Sequence, residues 1–133
     1  MKPLMAIGLL ILLSGCALLT SYELKFDPIE YKAITDIRTS ANLAKNKCDD
    51  PVEIKNQSNL ISIQTLSFMN YEQYIPYNDN ARDAAIELDQ IVRGLRDQYK
   101  KNIPVSIAFC KIKFDHIEQS AELMQKSIGG KPR

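Results

Sequence analysis

The side chains able to carry out chemistry are few: Cys16, Cys48 and Cys110, the single histidine His116, and carboxylates scattered along the chain. One histidine and three cysteines are too few for a site with several His or Cys ligands, and five glycines leave no glycine-rich phosphate loop. His116 lies between Asp115 and Glu118. On a helix these positions do not converge into a proton relay, and no serine or cysteine nearby has a nucleophile-elbow context, so His116 reads as a surface residue. Haem between His116 and Met69 or Met124 finds no Cys-x-x-Cys-His attachment. A di-iron centre needs Glu-x-x-His on two helices, which one histidine cannot supply. Asp89, Arg93 and Asp97 stand at i,i+4 spacing and read as a solvated, ion-paired face. The expectation is therefore a non-enzymatic protein with no catalytic residue, no metal and no cofactor. A formal net charge of +1 gives no electrostatic footprint for nucleic acid.

Cys16 has a context of its own. Met1-Lys2 provides a short positive start, and residues 4–13 are an almost unbroken apolar run. The run is too short to span a bilayer, which takes about 20 residues, and fits the apolar region of a secretory leader. It ends in Leu13-Ser14-Gly15-Cys16, which resembles the lipobox of bacterial lipoproteins. The resemblance implies cleavage before Cys16, lipidation of its sulfur, and a periplasm-facing domain held in a membrane by its N-terminal lipid. In lipoproteins of enteric-type bacteria a residue other than Asp after the cysteine marks sorting to the outer membrane. The Ala17 found here implies the outer membrane. Residues 1–15 are then a leader, 16–26 a lipidated tether, 27–130 the folded domain and 131–133 a tail. Loss of Lys2 leaves the mature chain neutral. The tether reaches at most about 35 Å, and Ala17-Leu18-Leu19 is apolar, so the domain is expected to work close to the bilayer.

The elements that position these residues are helices. Pro28, Pro51, Pro76 and Pro104 divide the mature chain into four segments of similar length. Asp27-Pro28-Ile29-Glu30 is a helix start: Asp27 caps, Pro28 is preset for the first turn, and Glu30 can reach back to the cap. Asp50-Pro51-Val52-Glu53 repeats the signal. Helix one is predicted over about 28–48, with Ile29, Ala33, Ile37, Ala41, Ala44 and Cys48 on its apolar stripe and Ile34 alongside. Helix two is predicted over about 51–74. Its residues 60–66 (Leu-Ile-Ser-Ile-Gln-Thr-Leu) are β-branched enough to suit a strand instead. Helix three, about 80–101, carries Ala81, Ala84, Leu88, Ile91, Leu95 and Tyr99, broadened by Ala85 and Val92. Helix four, about 104–128, carries Ile107, Cys110, Phe114, Ile117, Ala121, Met124 and Ile128 and stops at Gly129-Gly130. Four amphipathic helices with short connections predict an all-α, up-down-up-down bundle.

In that arrangement Cys48 and Cys110 lie at the same end of neighbouring helices. Periplasmic conditions favour a disulfide between them, two buried free thiols being the alternative. The segment Tyr71-Glu72-Gln73-Tyr74-Ile75-Pro76-Tyr77 joins helices two and three at the opposite, tether end. Tyr71, Tyr74, Ile75 and Tyr77 either cap the core there or contact lipid headgroups or a protein partner.

Lipobox, four helices and a bridge from Cys48 to Cys110 together resemble the pilotin lipoproteins of type II secretion. That resemblance implies an envelope-protein partner, a short secretin segment held in a groove between helices. It carries over no groove residue. Two further readings fit the same sequence: a phage- or prophage-encoded envelope lipoprotein that blocks receptors or excludes superinfection, and a helical bundle binding a small ligand.

Overall fold

A computed structural model describes residues 24–133, so the expected leader, Cys16 and most of the tether lie outside the described residues. The described chain forms α1 (Pro28–Ala44), a single 3-10 turn (Lys45–Lys47), α2 (Pro51–Glu72), α3 (Asp79–Lys100) and α4 (Ile107–Gly129), and contains no strand.

The Asp-Pro starts act alike. Asp27 Oδ1 accepts from the N–H groups of Ile29 (2.8 Å) and Glu30 (3.4 Å), and Asp50 Oδ1 from those of Val52 (3.1 Å) and Glu53 (2.9 Å). Each satisfies donors that a helix start leaves unpaired. Glu30 does not reach back to its cap as expected; its carboxylate is buried and turned toward the C-terminal tail. The ends also differ from expectation. Helix one leaves α geometry at Ala44 and reaches Cys48 through the 3-10 turn, helix two stops at Glu72, and helix four begins at Ile107. Ser106 caps α4 by accepting from the N–H of Phe109 at 3.1 Å.

α1 packs against α2 and α4, and α3 completes the ring between them. Cross-links between α1 and α4 descend in one helix as they rise in the other. Glu30 meets Lys131, Arg38 meets Gln125 at 2.9 Å and Glu122 at 3.3 Å, Lys45 meets Asp115 at 3.0 Å, and Cys48 is bonded to Cys110. The two helices are thus antiparallel. The expected disulfide is present, with its Cα atoms 5.8 Å apart. The core takes Ile34, Ile37 and Ala41 from α1, Ile54, Ile61 and Phe68 from α2, Leu88, Val92 and Leu95 from α3, and Phe114, Ile117 and Ala121 from α4.

Two stripe assignments are corrected. Ile29 is 63% exposed and Ile107 50% exposed; Glu30, the next residue in the first turn of α1, is the buried one there, and Ile34 takes the core position. Residues 60–66 are helical throughout. The Asp50 cap and burial of Ile54, Ile61 and Phe68 on one face outweigh a local strand preference.

The Asp89–Arg93 pair is corrected too. Asp89 is wholly buried, facing α2, where its Oδ1 accepts from the Thr65 hydroxyl at 3.1 Å while Arg93 Nε lies 2.7 Å from Oδ2. Beside it Arg96 donates to Ser62 Oγ at 2.9 Å and pairs with Asp97. Ser58, Ser62 and Thr65 fill core positions of α2, so the α2–α3 seam is polar where an apolar stripe is the usual solution.

Candidate functional site

At the end where the chain enters from Leu24, the start of α1, the end of α2, the start of α3 and the end of α4 meet. Asp27 is the pivot. Its Oδ1 caps α1, and its Oδ2 accepts from the Tyr71 hydroxyl. Burial pushes the Asp27 carboxyl up, but the Tyr71 bond, the two backbone N–H bonds and Lys131 more than offset this and hold it below the usual range. The Tyr71 phenol is pushed up to about 12, first by donating to Asp27 and then by burial. Tyr71 is thus half-buried and engaged within the fold.

Beneath this pair lie two carboxylates with no solvent exposure, Glu30 and Glu72. Lys131 Nζ donates to both oxygens of Glu30, at 2.7 and 2.8 Å. Glu72 accepts from the side-chain amide of Asn78, which is itself buried, and its Oε1 has no donor. Burial, then the neighbouring Glu30, push the Glu72 carboxyl up to about 8. The raised pKa, and an Oε1 that no donor reaches, both favour the protonated form of Glu72 beside Glu30. Asn78 occupies the N-cap position of α3 but spends its amide on Glu72 and makes no cap bond.

The C-terminal tail closes the arrangement. The N–H of Phe26 donates to the carbonyl of Pro132 at 2.7 Å, the Arg133 guanidinium lies 5.4 Å from the Phe26 ring centre, and Phe26 packs on Tyr31 with ring centres 5.5 Å apart. Residues 131–133, expected as a tail, fasten the segment that leads into α1.

Two clefts open beside this cluster. One of about 440 Å³ runs between α3 and α4 and is mainly apolar, lined by Leu24, Ala81, Ala84, Leu123 and Met124, with Lys131 at its edge. Leu123, on its rim, is 68% exposed. The other, about 330 Å³, lies against Leu24, Phe26, Pro28 and Ile75. Of the remaining residues singled out in the sequence, Ile75 is half-buried in this second cleft, while Tyr74 and Tyr77 are 86% and 75% exposed. Tyr77 has a positive φ of 58° in the turn that leads into α3. His116 is exposed, at the far end near Lys45 and Asp115.

Sequence reading missed Glu72, Asn78 and Lys131, and gave Glu30 a capping role in place of this one. A signal for one of them existed: Glu72 continues the row Ile54, Ile61, Phe68, so it falls on a core-facing position. Among the described residues no group of three or more His, Cys, Asp or Glu side chains is placed to hold a metal ion, and no helix is long and apolar enough to cross a membrane. Comparison with known protein families, with curated proteins and with solved structures finds no match for this chain.

Proposed function

We propose that this chain is a lipoprotein of the outer membrane, anchored through Cys16 with its helical domain in the periplasm, and that it binds an envelope protein without catalysing a reaction. The observation that carries the reading is that the apolar α3–α4 cleft opens at the end from which the tether emerges, with Leu24 lining both. A partner segment seated there lies within a tether's reach of the bilayer. The occupant that fits is one amphipathic helix laying an apolar face against Ala81, Ala84 and Leu123, the small alanines allowing close approach. This is the manner of binding that the pilotin resemblance implies. Tyr74 and Tyr77 stand at the same end, with apolar rings and polar tips suited to a headgroup layer.

Affinity purification of the full-length, lipidated protein from detergent extracts, beside Ala84→Asp and Leu123→Asp, tests the binding. The expected result is one envelope protein retained by the native chain and lost from both variants. Equal recovery from all three chains, or no copurifying protein, contradicts the cleft as the binding site.

A further inference from the structure

The outer side of α2 is unlike every other long helix surface among the described residues. Residues 56–71 contain no Asp, Glu, Lys or Arg in a chain that is 25% charged. With Ile54, Ile61 and Phe68 turned to the core, the opposite side shows Asn56, Asn59, Leu60, Ile63, Leu66 and Asn70 to solvent, Ile63 at 67% exposure. Asn56, Ile63 and Asn70 recur every seven residues, two helical turns apart, and form one row along the axis. The other helices present charge instead: Lys32 and Asp36 on α1, Asp83 and Glu87 on α3, Lys111 and Lys126 on α4.

A charged surface laid on this face would lose hydration without gaining an ion pair, which is costly. A side-chain amide, by contrast, carries both donor and acceptor and can pair with its own copy, as an ammonium or a carboxylate cannot. Among the outward helix faces described, the one without charge to set against α2 is α2 itself, the α3–α4 cleft being a recess with Lys131 at its edge. We propose that two copies associate through their α2 helices, side by side and in register, with Ile63 packed on its symmetry mate and Asn56 and Asn70 each facing its own counterpart.

Such a contact is isologous, and paired asparagines flanking apolar residues such as Leu60, Ile63 and Leu66 can fix the register of paired helices. The parallel direction rests on the membrane-anchored reading, which puts both tethers at one end; the pairing of the faces does not. One helix face buries less than the roughly 800 Å² per partner of a standard interface, so the pair is weak in dilute solution and is best captured covalently.

The test uses the full-length chain in detergent, with single cysteines introduced as Asn56→Cys, Ile63→Cys or Asn70→Cys, and Glu87→Cys on α3 as the control. Under mild oxidation each α2 variant alone is expected to give a covalent dimer on a non-reducing gel, and the control none. Adding Ile63→Lys to the Asn56→Cys chain is expected to abolish the dimer while the helical circular dichroism is retained. Absence of a dimer from Ile63→Cys, or equal yields at positions 63 and 87, overturns the pairing. A covalent adduct with a different polypeptide overturns the choice of a second copy. Dimers that form only when the Asn56→Cys and Asn70→Cys chains are mixed overturn the parallel direction, leaving the α2 contact and the anchored reading to stand separately.

Discussion

Glu72 shows how a single residue sets the response of this domain to pH. Its folded-state pKa of about 8 lies above the ordinary carboxyl value of 4.5, so between these limits the folded chain holds a proton that the unfolded chain has released. The stabilisation it contributes is complete below the lower limit and is lost as pH rises through the upper one. Chemical denaturation between pH 5 and 8 is expected to show stability falling with pH, at most about 1.4 kcal/mol per unit from this group. Glu72→Gln keeps the shape, supplies a permanent donor to Glu30, and is expected to flatten the slope; an unchanged slope would remove Glu72 as its source. Tyr71 offers a spectroscopic check on the same cluster. Its phenolate absorption is expected to rise near pH 12 in the native chain, and nearer 10 in Asp27→Asn, where the hydrogen bond to a carboxylate is gone. Little of this cluster was legible in the sequence, because Glu30 and Lys131 are 101 residues apart and only the closed bundle joins them. Tyr71 was singled out for its type, and the alternative of capping the core matches its place in the fold better than an outward contact.

At the scale of elements the local signals were strong. The Asp-Pro caps at 27–28 and 50–51 set both helix starts, and the pairing of Cys48 with Cys110 follows once helices one and four are neighbours. What local pattern could not supply was the polar α2–α3 seam. Asp89 reads as a surface residue until Thr65 on another helix is placed against it. The disulfide closes a loop with a sequence separation of 62, for which chain entropy gives about 4 kcal/mol. A Cys48→Ser/Cys110→Ser chain is expected to lose stability of that order in denaturant titrations, with its helical circular dichroism largely retained. Two glycines in the helices should respond differently to the same change. A methyl group at Gly94 meets no atom within 4 Å, so Gly94→Ala is expected to gain about 1 kcal/mol from helix propensity. At Gly129 the same methyl would come 3.1 Å from the Tyr31 ring, and that contact offsets the gain. Thermal melts of the two variants distinguish them.

Over the whole molecule, the two ends of the bundle are built differently. The far end is closed covalently at Cys48–Cys110. At the near end the tail residues Lys131, Pro132 and Arg133 hold the entering chain, the apolar cleft opens, and the exposed tyrosines cluster. Lys131→Ala leaves Glu30 buried without its cation and is expected to destabilise by about 3 kcal/mol or more, read as a lowered melting temperature. All of this acquires its proposed purpose from the anchor at Cys16. Intact-protein mass spectrometry of the full-length chain expressed in a lipoprotein-processing bacterium and extracted from its membranes tests that anchor most directly. The expected product begins at Cys16, lacks residues 1–15 and carries acyl chains on the cysteine. A chain that retains Met1 with an unmodified Cys16 would contradict it.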